Sequence, residues 1–278
     1  MTSLNDRARA FQSLHERACF VIPNPWDAGS AKMLAALGFP ALATTSAGFA
    51  FSLGRPDAAN AVSRDETLQN ARAIVDATPL PVSADLENGF GDAPEDCAQT
   101  ILRAADAGLV GGSIEDATGR PGDPIYPLAL AVERIEAAVR AARSLPFHFM
   151  LTARAENHLN GISDLDDTIR RLQAYAAAGA DVLYAPGLKT REDIRLVVQA
   201  VAPKPVNVVA GLSGPNLSVA ELAELGVRRI SLGSSFARAA YGAFLRAAQE
   251  VRQQGTFGFS AQAVPFAQIN AMFGPGQA

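Results

Sequence analysis

Short apolar runs, each followed by a loop and then by a longer segment of helical spacing, recur along the whole chain. This repetition restricts the fold more than any other feature. Runs that read as strands lie near Cys19–Ile22, Ala41–Thr45, Pro81–Asp85, Val110–Glu115, Phe147–Ala153, Val182–Tyr184, Val206–Val209 and Arg229–Leu232. Several are apolar at consecutive positions, the pattern of parallel strands covered on both faces. The intervening segments carry helix-start chemistry. Ser63 with Glu66, and Ser218 with Glu221, fit a capping box in which hydroxyl and carboxylate satisfy free backbone N–H groups reciprocally. Pro94 suits a first helical turn and Thr190 an N-cap. Gly38, Gly108, Gly179 and Gly226 each stand where a left-handed residue closes a helix before the next strand.

Eight such units, joined by right-handed crossovers, curl a sheet in one direction and close most economically into an α/β fold of the (β/α)8 TIM-barrel type. A doubly wound open sheet is the alternative. Against it, the first strand leads into Pro23-Asn24-Pro25-Trp26-Asp27 and not into a G-x-G-x-x-G turn. Residues 1–278 therefore read as one barrel domain. After an eighth helix, roughly Ser235 to Arg252, a tail from about 253 to 278 holds Gly255–Phe259 and a short apolar segment, Val264–Phe273. That segment packs on its own barrel or on a neighbour's.

Charge excludes several partners. The 24 basic and 28 acidic side chains give a net charge of −4 with no block of Lys or Arg, so nucleic acid binding is not expected. No apolar stretch approaches the ~18 to 20 residues a membrane helix needs, and Met1–Ala10 lacks the apolar core of a signal peptide. The expectation is a cytoplasmic protein without a membrane partner. Cys19 and Cys97 are too few for a disulfide framework and read as small buried apolar residues.

In this fold chemistry sits at the C-terminal ends of the strands. The third strand ends in Asp85-Leu86-Glu87, the fourth in Glu115-Asp116 and the fifth in Arg154-Ala155-Glu156, while Asp57 lies in the loop after the second. Alternation along a strand end would point Asp85 and Glu87 to one side, toward the barrel mouth. Carboxylates sharing a small volume repel unless a cation or protons neutralise them, and with no His or Cys beside them in sequence the preferred ion is Mg²⁺ or Mn²⁺. Asp92 and Asp116 are evenly balanced between this cluster and solvated loop acids or helix caps. Arg154 either pairs with a carboxylate or, the more strongly weighted role, holds a substrate carboxylate in its fork. His148 reads as a core residue, His158 as a loop histidine and His15 as surface. No lysine sits inside a strand, which argues against a Schiff-base aldolase.

The run Ser83-Ala84-Asp85-Leu86-Glu87-Asn88-Gly89-Phe90-Gly91 resembles the D-x-[DE]-x-G-[FY]-G signature of the isocitrate lyase and phosphoenolpyruvate mutase superfamily. Thr45-Ser46-Ala47-Gly48 is similar to the family's loop for a substrate carboxylate, Leu53-Gly54-Arg55-Pro56-Asp57 to its L-G-x-x-D loop, Ile114-Glu115-Asp116 to its I/L-E-D strand end, and Ala153-Arg154 to its A-R. The likeness spans residues 15 to 250. It implies a Mg²⁺-dependent barrel forming a homo-oligomer, a dimer or tetramer, whose subunits exchange the eighth helix. It also implies chemistry through the enolate of an α-keto acid while a C–C or C–P bond is cleaved or moved. Carried over by position, the metal set is Asp85 directly, with Asp57, Glu87 and Glu115 through water. Asp57, Glu115 and Arg154 become the catalytic set. Ser46, Ala47, Gly48, Asp85 and Arg154 become the substrate cradle, which Asn207 completes from the seventh strand.

One segment departs from the resemblance. Isocitrate and methylisocitrate lyases carry K-[KR]-C-G-H in a lid after the fourth strand, where this chain reads Ala117-Thr118-Gly119-Arg120-Pro121-Gly122-Asp123-Pro124-Ile125-Tyr126, and the mutase lid's Lys and Asn are missing too. As a gate, this Gly- and Pro-rich loop offers only Arg120, Asp123 and Tyr126 as chemical groups. The expected function is thus a Mg²⁺-dependent lyase cleaving a C–C bond of a small 2-hydroxy or 2-keto dicarboxylate, isocitrate lyase-like or oxaloacetate decarboxylase-like. Phosphonopyruvate hydrolysis or phosphonomutase chemistry is the alternative within the enzymes, and a non-catalytic keto-acid binding protein is the alternative outside them.

Overall fold

A computed structural model describes residues 3–57, 61–212 and 214–274. Its strands are β1 (Phe20–Ile22), β2 (Leu42–Ala43), β3 (Val82–Asp85), β4 (Gly111–Glu115), β5 (Ala117–Arg120), β6 (Asp123–Ile125), β7 (Met150–Arg154), β8 (Val182–Tyr184), β9 (Val206–Val209) and β10 (Arg229–Ser231). Its helices are α1 (Leu4–Glu16), α2 (Ala28–Ala36), α3 (Ser46–Ser52), α4 (Arg64–Asp76), α5 (Pro94–Asp106), α6 (Leu128–Arg143), α7 (Leu165–Ala177), α8 (Arg191–Ala200), α9 (Val219–Glu224), α10 (Ser235–Gln254) and α11 (Phe266–Phe273). Eight strands form one parallel sheet in the order β1-β10-β9-β8-β7-β4-β3-β2. The Ala43 amide donates to the Pro23 carbonyl at 3.0 Å across the remaining seam, so the sheet nearly closes on itself as the expected α/β barrel.

The helix-end signals read from the sequence are present in the fold. Ser63 and Glu66, like Ser218 and Glu221, exchange side-chain and backbone hydrogen bonds as capping boxes. Pro94 opens α5, Thr190 caps α8, and Gly38, Gly108, Gly179 and Gly226 sit at φ of 84°, 85°, 103° and 89°. A Cβ at those angles would crowd the preceding carbonyl, which is why glycine follows these four helices.

Two features depart from the expectation. Helix α1 precedes the barrel and plugs its floor, burying Ala8 and Phe11 against Phe20, Ile22, Ala41, Val110, Met150 and Val182. A Cβ on Gly111 would meet Phe11 Cε1 at 2.8 Å, so glycine in β4 makes room for the plug. With α1 in place His15 is a core residue, 5% exposed, and not a surface one; the rings of Phe11 and Phe20 stand edge-on to it at 4.8 and 5.1 Å. The fifth barrel strand also starts only at Met150, which leaves His148 outside it, half-buried and 3.2 Å from Asp181. The core reading of His148 is corrected accordingly.

Helix α10 buries only Ala237 and leaves Phe244 and Leu245 exposed, while α11 packs back on α2 of its own barrel. No helix of the described residues is long and apolar enough to cross a membrane.

Candidate active site

Parallel register brings the ionisable strand ends to one rim. Asp85 of β3 pairs in register with Ser113 of β4, and Glu115 of β4 with Arg154 of β7. Arg154 then holds three carboxylates at once. Its Nη1 donates to Asp85 Oδ1 at 3.0 Å and its Nε to Glu156 Oε1 at 2.8 Å, while Nη2 lies 3.0 Å from Glu115 Oε2. The guanidinium carbon stands 5.1 Å from the ring centroid of Tyr184. From the other side the Ser46 hydroxyl donates to Asp85 Oδ2 at 3.0 Å, and Thr44 Oγ1 accepts from the Asp85 amide at 3.0 Å. Two adjoining cavities open here. One, of about 190 Å³, is bounded by Ser46, Asp57, Asp85, Arg154, Tyr184, Asn207 and Arg229; the other, of about 210 Å³, by Glu87, Glu115 and Glu156 beneath Ala117 and Gly119.

Charge does not balance at this mouth. Asp57, Asp85, Glu87, Glu115 and Glu156 outnumber the guanidinium groups of Arg154 and Arg229 that bound the two cavities, and of the two only Arg154 pairs with them. Burial, reinforced by Asp85 and Asp57, pushes Glu87 up to about 8. Burial raises Glu115 well above the ordinary carboxyl range even with Arg154 beside it, and raises Glu156 as well. Asp57 moves upward through burial of its carboxyl and the nearby Asp85 charge. Among the described residues no three His, Cys, Asp or Glu side chains stand ready as a cage for a metal ion. Arg154 occupies the space between Asp85, Glu115 and Glu156.

The remaining predicted residues fall into distinct places. Glu87 lines the mouth, yet strand alternation does not aim it: β3 stops at Asp85, and Glu87 turns into a left-handed conformation at φ 49°. Ala47 lines the first cavity, whereas the Gly48 amide is taken by Thr45 Oγ1 at 3.2 Å. A Cβ on Gly48 would meet Thr45 Cγ2 at 2.6 Å, so its glycine serves close packing. Asn207 is buried at the cavity wall, accepting from Arg229 Nε at 2.8 Å and donating to Ser231 Oγ at 3.0 Å. Asp116 leaves the cluster: it is 3% exposed and accepts from Arg171, Tyr175 and the Glu156 amide. Asp92 is exposed and accepts from Tyr126 and Arg120.

The segment after β4 is a hairpin, β5–β6, and not an unstructured loop. Its expected chemical groups are turned on one another. Arg120 pairs with Asp92 and Asp123, and Tyr126 is 1% exposed beneath Arg134. His158, in the loop after β7, is half-buried, and its Nε2 has no partner among the described residues. Tyr184 and Arg229 were not singled out from the sequence, and Glu156 was read there only as one of the ionisable strand ends, with no role of its own. Glu156 follows Arg154 by two, the spacing that strand alternation turns to one side; Tyr184 carried only its place at a strand end, and Arg229 no signal beyond an inward position shared with Ser231.

Comparisons with known proteins bear on the family of this chain. The family model described as phosphoenolpyruvate phosphomutase matches residues 11–252. The chain is 30% identical to oxaloacetate decarboxylase of Bradyrhizobium diazoefficiens over 76% of this chain and 79% of that protein. It is 29% identical to 2,3-dimethylmalate lyase of Eubacterium barkeri over 80% and 78%. Among solved structures, a Burkholderia cenocepacia protein described as a candidate lyase/mutase superposes with a TM-score of 0.96 at 59% identity, covering 99% and 98% of the two chains. Phosphonopyruvate hydrolase in complex with oxalate and Mg²⁺ superposes with a TM-score of 0.85 at 25% identity, covering 96% and 94%. A nearly closed parallel barrel whose strand ends carry the Asp85, Glu115 and Arg154 motifs, matched by one family model along most of its length, makes this chain a member of the phosphoenolpyruvate phosphomutase family, within the PEP mutase/isocitrate lyase superfamily.

Proposed function

We propose that this chain is a magnesium-dependent lyase that cleaves a carbon–carbon bond of a small 2-hydroxy or 2-keto dicarboxylate, decarboxylation of an oxaloacetate-like acid included. One observation carries the reading. Five carboxylates meet around the guanidinium of Arg154 at the barrel mouth, an excess of hard oxygen donors, and among the described residues no histidine or cysteine bounds either cavity. Such a donor set fits Mg²⁺, or Mn²⁺, and does not fit zinc. The hydrolase structure with oxalate and Mg²⁺ supports the same choice. Asp85 would hold the ion, with Asp57, Glu87 and Glu115 around it. When bound, the ion draws electron density from the keto and carboxylate oxygens of the acid, stabilising the negative charge that develops as the bond breaks.

The chain's own groups do the positioning. The Ser46 hydroxyl and the Ala47 backbone bind the acid's carboxylate where α3 begins, beside Asp85. Arg154 is spent on three carboxylates, so its first task is to hold Asp85 and Glu115 in place. It reaches substrate by exchanging one of these partners. Breaking the C–C bond in a decarboxylation needs no lid proton donor, which suits a 117–126 hairpin without Cys, Lys or His. Cleavage of a C–P bond is a second reading, favoured by the likeness to phosphonopyruvate hydrolase.

We infer in addition that α10 is exchanged between subunits of a homo-oligomer. Its Phe244 and Leu245 are 68% and 55% exposed, an apolar face its own barrel leaves uncovered.

The test is a screen of oxaloacetate, substituted malates, isocitrates and phosphonopyruvate, with and without Mg²⁺. The expected result is Mg²⁺-dependent turnover of a dicarboxylate that Asp85→Ala abolishes while its circular dichroism stays that of the parent. Turnover surviving in Asp85→Ala would refute the metal assignment, and turnover of phosphonopyruvate alone would select the second reading.

A further inference from the structure

Arg229 bounds the first cavity but pairs with none of the acids at the mouth. It opens β10, and its side chain crosses the barrel interior to β7. Nη2 donates to Thr152 Oγ1 at 2.9 Å and Nε to Asn207 Oδ1 at 2.8 Å, while Nη1 stands 3.4 Å from His15 Nε2. Every one of these partners is uncharged. His15 Nδ1 donates to the Phe11 carbonyl at 2.8 Å, which leaves Nε2 as an acceptor, and burial together with Arg229 holds the imidazole down to about 3. Arg229 itself is 6% exposed, and among the described residues no carboxylate pairs with it. A buried guanidinium without a counter-charge is costly, and burial alone brings Arg229 down to about 10.

The cavity explains where a counter-charge fits. Barrels of this type fill their interior with branched aliphatic side chains. Here the first cavity is bounded by Ala43, Ser83, Ser113 and Ser231, small residues that leave space between the acidic mouth and Arg229. The two arginines differ in what they can offer. Arg154 is neutralised by three carboxylates, whereas Arg229 has its full charge available.

We propose that Arg229 receives the second carboxylate of the substrate, so that the cavity takes a dicarboxylic acid with its 2-oxo or 2-hydroxy end at the acidic mouth and its distal carboxylate toward the barrel floor. The inference rests on the 2-oxo/2-hydroxy acid reading and adds the residue that selects for the far group. Arg229 is a specificity-determining residue: it contacts the distal carboxylate and takes no part in bond cleavage. Asn207, Thr152 and neutral His15 position its fork.

The experiment is isothermal titration of the full chain in Mg²⁺ with two probes. Oxalate mimics only the 2-oxo acid end, and malate adds a distal carboxylate. In Arg229→Met malate should weaken by about tenfold or more, because a charge-assisted pair is lost, while oxalate stays within about twofold of the parent. In Arg229→Lys, which retains the charge without the planar fork, malate should weaken several-fold and oxalate again little. Parallel loss of both probes, or an unchanged ratio of malate to oxalate affinity in both variants, would return Arg229 to a purely structural role and overturn the inference alone. Failure of the parent chain to bind either probe would overturn the acid-binding reading and this inference with it. If Arg229→Met fails to fold, as judged by circular dichroism, the malate-to-oxalate ratio of Arg229→Lys decides.

Discussion

Glu87 offers a direct test of the proposal that the mouth takes a cation. In the metal-free protein burial and the neighbouring Asp85 and Asp57 charges lift this carboxyl from 4.5 to about 8. Between those values the folded chain binds more protons at Glu87 than the unfolded chain, so stability falls as pH rises through the window. At 1.36 kcal/mol per unit, the raised carboxyl costs ~3 kcal/mol at pH 7, where the fold keeps it protonated, and ~5 kcal/mol above pH 8, where it is charged. Glu87→Gln removes the charge and keeps the shape. Melting curves of desalted protein between pH 4.5 and 8.5 should show the variant above the parent by roughly 5 to 10 °C at pH 8, with the gap closing toward pH 4.5. Saturating Mg²⁺ should raise the parent's melting temperature more than the variant's, because the ion relieves the same repulsion. A gap independent of pH, or a parent more stable than the variant at pH 8, would refute the electrostatic argument and with it the reason given for a divalent ion at this site.

Two further outcomes follow from groups away from the carboxylates. His15 is held down to about 3 against 6.5 in the unfolded chain, so the unfolded state takes up its proton first and stability drops as pH falls below 6.5. The urea midpoint should reflect a loss of ~2 kcal/mol from this residue between pH 7 and pH 5, and His15→Asn should flatten that slope; an equally steep slope in the variant would show that His15 is charged in the fold. Phe244→Asp on α10 should leave the barrel folded and lower the mass measured by light scattering toward one chain. A parent chain that already runs as a monomer would remove the helix-exchange proposal.

Elements carried by short-range chemistry were legible in the amino-acid order. Period and composition located all eight barrel strands, and Ser63, Ser218, Thr190, Pro94 and the four capping glycines marked helix ends, since each acts within a few residues of itself. The rim acids were legible too, because strand ends in a parallel barrel share one face.

What the chain order could not supply was which of those acids meet. Glu115 and Asp116 are neighbours in sequence. One joins Arg154 at the mouth, and the other is drawn into the core by Arg171 of α7 and Tyr175, more than fifty residues away. His15 became a core residue only because α1 docks under the barrel, and Arg229 acquired its partners from β7, β9 and α1 together. Sequence patterning determined the elements through local hydrogen bonding and the alternation of apolar side chains. Burial and pairing of the charged groups were decided by register between distant strands, because the energy of an ion in a low-dielectric interior depends on everything packed around it.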